Sequence, residues 1–487
     1  MNIPVGRVQD ALEKEGLLVE SRGAIPEFAS GISDDSRVLE AGGIFVAVRG
    51  SERDGHEYLD AAHGRGAGLA IVEDASRTSL PALVVREGRR AAAVAAGAAY
   101  NHPARDLTML AVTGTNGKTT TTSIMRHLLS KPGRPAASIG TLGVLTGSAG
   151  EVVPGGGGLT TPGPVELQRV LRDLSDRGVR HVAMEVSSHS LDQRRIDGLV
   201  FDVAVFTNLT RDHLDYHGTM DAYLAAKARL VDYVSEDGTV VVNRDAPEWR
   251  GLRQRGVTVT FAIANEADVR AKSIRYTTRG SEWRLVTREA AADVLLPLLG
   301  DVNVQNALAA AATAIALGDA PAQVAASLAG VPQTPGRLEI ISRSPAVLRD
   351  YAHTPDALER SLRTARAFTT GRLIVVFGCG GDRDKGKRPI MGRIAEQGAD
   401  LAIVTSDNPR TEDPDAIVRE IEAGMKDGNH ERVTDRLAAI GRALTLAGDG
   451  DLVLLAGKGH ETYQIRGTTS HPFDEKEIVR ELTAGRS

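Results

Sequence analysis

Residues Thr108 to Leu129 read T-M-L-A-V-T-G-T-N-G-K-T-T-T-T-S-I-M-R-H-L-L, and no other stretch limits the fold as much. A short apolar run ends in a glycine-bearing turn, and the turn opens into a helical pattern. That order is strand, phosphate loop, helix. Glycines let the backbone approach a polyphosphate, and the N–H groups at a helix start point at it. Lys118 would place a point charge at the terminal phosphates, and the Thr119 hydroxyl would ligate magnesium. The common spacing G-x-x-x-x-G-K-[ST] is not met, because Val112 stands where its first glycine belongs. Gly114 opens a shorter loop, G-x-x-G-K-T. An ordinary strand-to-helix turn is the alternative, and G-K-T-T directly after a strand argues against it.

A chain of 487 residues is too long for one core and implies about three domains. The net charge of -5 gives no reason to expect a nucleic-acid partner, and aromatic residues, at 4%, are too sparse to build base-stacking platforms. The single cysteine, Cys379, excludes an internal disulfide and a multi-cysteine metal site, so it reads as a small buried residue. M-N-I-P-V-G-R lacks the apolar core of a signal peptide, and the longest small-apolar run, Ala91 to Tyr100, is about half of what spans a bilayer. A cytoplasmic protein without membrane insertion is expected, acting as a monomer.

Three units follow from the order of apolar runs. Residues 1–107 carry short buried strands at Ile44 to Val48 and Leu69 to Val72, with helices at Ala61 to Gly66 and Arg89 to Tyr100. Asn101-His102-Pro103 reads as a linker. Residues 108–335 alternate strand and helix, with strands at His181 to Met184, Phe201 to Phe206 and Thr239 to Val242, which argues for a parallel sheet covered on both faces. The glycine run Gly155 to Gly158 is a mobile ligand loop or a plain linker. Residues 336–487 carry strands at Ala346 to Asp350, Leu373 to Phe377, Leu401 to Thr405 and Leu452 to Ala456.

The chemically loaded residues follow the carboxyl ends of these strands. In the second unit they are Gly114 to Thr119, Glu185 to His189 and Thr207 to Asp215. In the third they are Tyr351 to Pro355, Gly378 to Arg383, Ser406 to Arg410 and Gly457 to Glu461. Ligands of open α/β sheets bind beyond those ends, so two loaded sheet edges imply a cleft between domains. Thr119, Glu185 and His213 form a candidate magnesium set. Glu185 reads equally as a charge at a helix N-terminus, and His213 as a surface histidine. Arg383, Arg410 and Glu461 describe a pocket for an amino acid with an extra carboxylate, and a solvated charged loop is the alternative.

The ordered set G-T-N-G-K-T-T at 114–120, E-V-S-S-H at 185–189, N-L-T-R-D-H-L-D at 208–215, G-R-L-E at 336–339, D-Y-A-H-T-P at 350–355 and G-K-G-H-E at 457–461 resembles the Mur ligases. These are the ATP-dependent amino-acid-adding enzymes of peptidoglycan synthesis, a process that serves cell shape and division. The resemblance covers all three units. It implies a small α/β uridine-nucleotide domain, a central parallel-sheet P-loop ATPase domain and a C-terminal Rossmann-like α/β domain. Within the family, D-N-P-R at 407–410 looks like the mark of the member that adds meso-diaminopimelate, since lysine-adding relatives generally lack the arginine.

The resemblance also implies residue roles. Asp34, Ser36, Ser51, Glu52 and Arg53 would contact the uridine diphosphate end of UDP-N-acetylmuramoyl-L-alanyl-D-glutamate. Thr160, Thr161, Ser187, Gln193 and Arg195 would hold its muramoyl-dipeptide. Gly114, Thr115, Asn116, Gly117, Lys118, Thr119 and Thr120, with Asn303, Arg337 and His353, would hold ATP. Arg383, Asp407, Asn408, Pro409, Arg410, Gly457 and Glu461 would hold diaminopimelate. Lys118, Glu185, His213 and Lys227 would be catalytic. Lys227 would be carbamylated and join Thr119, Glu185 and His213 around magnesium; taken alone it reads as a surface helix lysine. Val302 departs from relatives that often carry an aromatic or histidine there. The implied chemistry is an acyl phosphate on the D-glutamate carboxylate, attacked by the incoming amine. A lysine-adding or folylpolyglutamate-forming ligase and a silent nucleotide-gated paralogue are the rival readings.

Overall fold

The structure is a computed structural model and describes residues 2–50, 53–156, 158–277, 279–426 and 428–484. Ser51, Glu52 and Gly157 of the sequence reading lie outside the described residues.

Three large sheets succeed one another along the described residues, and the class is α/β. The first runs Leu18–Arg22, Ala82–Val85, Leu69–Val72, Ile44–Val46, Ile32–Ser33 in space, parallel except at Leu18–Arg22. Its helices Val5–Lys14 and Gly88–Ala99 pack on one face through Val5, Val8 and Leu12 against Ala91, Ala92 and Ala95. Alanines on the second helix keep propensity high and let the helices approach closely. Beyond the end of that helix Asn101 and His102, both with positive φ, lead into the 3-10 turn Pro103–Asp106.

The central sheet has eleven strands. Thr108–Thr113 lies between His181–Glu185 and Phe201–Phe206, parallel to both. Its residues Met109 to Thr113 are buried, as a strand covered by helices on both faces must be. Such side chains stabilise by roughly 1.5–3 kcal/mol each when fully buried. The expected parallel sheet forms the middle of this one. Gly143–Thr146 and Glu151–Val153 add antiparallel strands at one margin, and Gly280–Val286 and Ala291–Leu296 at the other. The strands of the second margin alternate buried and exposed residues, because one face of an antiparallel sheet meets water.

The helix Lys118–Leu129 packs against Asp301–Ala316, with Ile124, Met125 and Leu128 in one cluster with Val304, Ala307, Leu308 and Ala311. The third sheet runs Glu339–Arg343, Ala346–Asp350, Leu452–Ala456, Leu373–Phe377, Leu401–Val404, His430–Arg432, and only Glu339–Arg343 is antiparallel. Thr354 caps the helix Pro355–Ala367 by accepting from the Ala357 N–H, and Pro355 fills the first helical position. Cys379 is free and buried. No described helix is long and apolar enough to cross a membrane.

Register turns the sequence regularity into geometry. Val112 pairs with Glu185, and Thr113 with Phe206, so the loops after all three strands start at one edge. Asp350 pairs with Ala456, and Phe377 with Val404, so the loops of the third sheet do likewise.

Candidate active site

The phosphate loop is bent back onto the neighbouring strand end. The Thr115 N–H donates to Asn208 O at 2.8 Å, and the Asn116 N–H to Asn208 Oδ1 at 3.0 Å. Thr207 Oγ1 donates to Asn116 O at 2.7 Å. This contact demands glycine at 114: φ is +145°, and a Cβ there would stand 1.9 Å from Thr207 Oγ1. Gly117, at φ +90°, leaves 2.4 Å between its would-be Cβ and Asn306 Oδ1. The Lys118 ammonium folds over the loop and donates to the carbonyls of Gly114 and Thr115 at 2.9 and 2.8 Å. Thr119 and Thr120 are buried at the start of the helix.

Lys227 is not a surface lysine. It is 1% exposed, and its Nζ donates to the same Gly114 carbonyl at 2.8 Å. Burial, and then repulsion from Lys118, hold its amine well below the usual lysine range. Glu185 is not a helix N-terminal charge. It ends its strand, while Ser187 caps the following helix. The Glu185 carboxylate is 1% exposed and accepts from the Thr141 N–H at 2.8 Å and the Thr141 hydroxyl at 3.2 Å. His213 keeps an exposed ring, with 43% of its side chain open, yet it is set among His189 at 4.8 Å and Tyr223 at 6.1 Å between centroids. Desolvation lowers its imidazole to about 4, against the pull of Asp212 at 3.4 Å.

The third unit closes over this floor. Arg337 donates to Thr119 Oγ1 at 3.2 Å and stacks over the Tyr351 ring at 4.5 Å. Asn116 Nδ2 and Thr210 Oγ1 both donate to Asp356 Oδ2, at 3.0 and 3.2 Å. His353 Nδ1 lies 2.8 Å from Tyr351 O, and burial lowers its pKa. The resulting cavity, of about 240 Å³, brings together Asn116 to Thr120, Glu185, His213, Asn303, Arg337 and His353. Val302 lines it, and Asn303 is held by its own bond to Leu299 O at 2.8 Å.

A second cleft, of about 680 Å³, contains Arg383, Asp407, Asn408, Arg410, Gly457 and Glu461. It shares Asp212, His213, Tyr351 and His353 with the first. Arg410 adopts φ +52° and is clamped by the hairpin Tyr463–Arg466 and Thr469–Pro472: its N–H donates to Ile465 O, and its carbonyl accepts from Gly467 N–H at 2.7 Å. The Arg410 guanidinium donates to Gly381 O at 2.8 Å and has no carboxylate partner among the described residues. Pro409 O packs so close to Gly381 that a Cβ there would approach to 1.9 Å. Arg383 is exposed at the cleft mouth. Glu461 is partly engaged: its Oε2 accepts from Asn408 Nδ2 at 2.9 Å and from Lys458 at 3.2 Å.

Thr161, Ser187, Gln193 and Arg195 form one network beside Glu185. Thr161 Oγ1 donates to Glu185 O at 2.8 Å and accepts from Ser187 N–H at 3.1 Å. Arg195 donates to Thr161 O at 2.9 Å and to Gln193 Oε1 at 2.7 Å. Thr160 Oγ1 lies 3.4 Å from Thr141 Oγ1. In the first unit Ser36 is buried and Arg53 exposed, while Asp34 faces Gly163 of the central unit. They lie in neither cavity.

The sequence reading omitted Lys458, Asp212, Tyr351 and Asp356, although all but Asp356 stand inside motifs already singled out. It also omitted Thr141, which belongs to no motif and reaches Glu185 only because Ala136–Gly140 pairs with His181–Glu185.

Residues 112–314 match the Mur ligase middle domain, and residues 336–459 match the Mur ligase, glutamate ligase domain. A UDP-N-acetylmuramoyl-L-alanyl-D-glutamate--2,6-diaminopimelate ligase from Geobacter metallireducens is 44% identical, covering 96% of this chain and 97% of the relative. One from Geobacillus kaustophilus is 43% identical over 92% and 93%. A solved structure of a ligase with that name superposes with a TM-score of 0.66 at 33% identity, over 96% of this chain and 97% of that one. The chain belongs to the Mur ligase family.

Proposed function

We propose that this chain is an ATP-dependent ligase that adds meso-2,6-diaminopimelate to UDP-N-acetylmuramoyl-L-alanyl-D-glutamate in the cytoplasm, forming ADP and phosphate. The observation that carries the reading is the union of two cavities. The one built on the phosphate loop shares Asp212, His213, Tyr351 and His353 with the one holding Arg383, Arg410 and Glu461. An amine held in the second therefore reaches a carboxyl activated in the first. Residues 1–107, 108–335 and 336–487 then act as the uridine-nucleotide, ATP and amino-acid domains.

Magnesium fits the residues present. The Thr119 hydroxyl and Glu185 carboxylate are hard oxygen donors and line one cavity with His213. Two such oxygens suit an ion that takes few protein ligands and completes its shell with phosphates and water. When bound, it would neutralise charge on the phosphates. Lys227, whose amine is held by burial well below the usual lysine range, suits carbamate formation: its nitrogen bonds to the carbon of CO2 and loses a proton, turning an amine into an anionic oxygen ligand.

ATP lies on the loop N–H groups, and Lys118 exchanges its two carbonyl partners for phosphate oxygens. Thr160, Thr161, Ser187, Gln193 and Arg195 hold the muramoyl-dipeptide, so that the D-glutamate carboxylate attacks the γ-phosphorus and ADP leaves. Lys118 stabilises the charge that develops. Arg383 and Arg410 grip the far carboxylate of diaminopimelate, while Asp407, Asn408 and Glu461 orient its amino acid end. The amine attacks the acyl phosphate, loses a proton, and phosphate departs. The contacts of Arg337 and Asp356 with the loop keep water out of this space.

The test is ADP release with meso-diaminopimelate, its LL isomer, lysine and ornithine. Only the meso isomer should support full turnover. Arg410→Ala should lower kcat/KM for it at least tenfold, since a charge-assisted bond contributes roughly 1.5–3 kcal/mol, and should leave ATP binding intact. Equal use of lysine by the unmutated protein would overturn the assignment.

A further inference from the structure

The helix Lys118–Leu129 serves two cavities. Thr119 and Thr120 line the nucleotide cavity, while Ser123 and Arg126, farther along the helix, line another of about 380 Å³. Its remaining walls are Thr141, Leu142 and Leu145, then Ala149, Gly150 and Val152, the linking segment Pro332 to Pro335, and His460 of the third unit. Thr141 alone borders both spaces.

Three side chains of this lining each keep one buried polar atom without a hydrogen-bond partner, and they come from different parts of the chain. Arg126 is 3% exposed, and its Nε has no hydrogen-bond acceptor. No carboxylate among the described residues lies within ion-pair distance of it; Glu151 acts from farther away. Thr334, 2% exposed, has an unpartnered Oγ1. The half-buried His460 has an unpartnered Nδ1, while its ring bonds to the Thr141 backbone. A buried guanidinium without a counter-ion is strongly disfavoured. Water satisfies hydrogen bonds but does not neutralise charge. Burial lowers the Arg126 pKa only to about 10, so it stays a cation at neutral pH. Burial lowers His460 to about 4, so its ring is neutral there.

A purely architectural role is the competing explanation. Arg126 Nη1 does donate to Gly147 O and pins the hairpin that follows Ala136–Gly140. That bond leaves Nε free, and it explains neither Thr334 nor His460.

We propose that this cavity is a second anion site, separate from the phosphate loop, in which Arg126 and Thr334 hold a small oxyanion such as inorganic phosphate or a carboxylate, with His460 at its wall. The ligand would touch the central unit, the linking segment and the third unit together. It would thereby hold the third unit against the nucleotide cavity.

The test is equilibrium dialysis of the full-length protein with radiolabelled inorganic phosphate, without nucleotide and at constant ionic strength in chloride. Lys118→Ala, which disables the phosphate loop, should retain one bound phosphate per chain. Lys118→Ala/Arg126→Met should retain none. Thr334→Val in the Lys118→Ala background, which leaves the Gly147 contact intact, should weaken that phosphate several-fold and covers the case in which Arg126→Met does not fold. Acetate that displaces the phosphate would identify a carboxylate ligand, and failure to displace it would identify phosphate or its monoesters; either supports the site. Loss of all phosphate binding in Lys118→Ala, or unchanged binding after both Arg126→Met and Thr334→Val, overturns it.

Discussion

Lys458→Met should separate the chemistry of the amino-acid cleft from that of the nucleotide cavity. Lys458 is fully buried, and its Nζ lies 3.1 Å from Asn408 Oδ1, 3.2 Å from Glu461 Oε2 and 3.5 Å from Asp407 Oδ1. The two carboxylate side chains are only 8% and 13% exposed. At an effective dielectric of about 20, one such contact is worth roughly 5 kcal/mol of Coulomb attraction, most of it offset by desolvation. Removing the cation leaves two nearly buried carboxylates without a counter-charge, a change that typically costs about 3–5 kcal/mol. Methionine nearly preserves the volume, so packing contributes little. Asn408 and Glu461 also lose their common anchor, so the cleft they shape should loosen. We expect a stability loss of about 3–5 kcal/mol in urea unfolding followed by circular dichroism. In a coupled ADP assay we expect a drop of roughly a hundredfold in kcat/KM for diaminopimelate, equivalent to about 2.7 kcal/mol. The KM for ATP should not move, because Lys458 does not line the nucleotide cavity. A loss of stability below about 1 kcal/mol, or an ATP KM that rises in step with that for diaminopimelate, would refute this reasoning.

Further expectations follow from other contacts. Gly114→Ala must place a methyl group 1.9 Å from Thr207 Oγ1 at φ +145°, so strain of about 1–3 kcal/mol should weaken ADP binding about tenfold or more in calorimetry; unchanged affinity would contradict the loop geometry. Glu412 is held down to about 2, from an ordinary 4.5, by hydrogen bonds from the buried Arg388. Its folded pKa is depressed, so its stabilising contribution is complete above about pH 4.5 and disappears as pH falls toward 2. The contribution is roughly 3 kcal/mol at most, and Glu412→Gln should flatten the acid limb of the stability profile. Carbon-13 NMR with labelled bicarbonate should show a carbamate signal that disappears in Lys227→Ala; no signal in the unmutated protein across pH 7–9 would exclude the modification.

Much of the fold was legible because its signals are local. Phe201–Phe206, Leu373–Phe377 and Leu452–Ala456 are continuous apolar runs, and strands buried on both faces must read that way. The antiparallel margins escaped notice because Gly280–Val286 and Ala291–Leu296 are half-exposed and alternate weakly. Glu185 and Lys227 show the same divide within the site. A motif marked Glu185 and the family resemblance marked Lys227, but each had a plain alternative reading that no local pattern could reject.

The glycine-bearing loop, the ordered motifs and the arginines that follow the third-unit strands are properties of the sequence itself, since each depends on residue type and short spacing. Burial, pairing and the meeting of distant loops are not. Only the tertiary structure put Lys227 on the Gly114 carbonyl, Thr141 on Glu185, Lys458 beneath Asn408 and Glu461, and Arg126 beside Thr334 and His460. Those groups are joined by strand register and by the closing of one sheet edge on another. Such contacts between residues far apart in the chain leave no periodic trace in it.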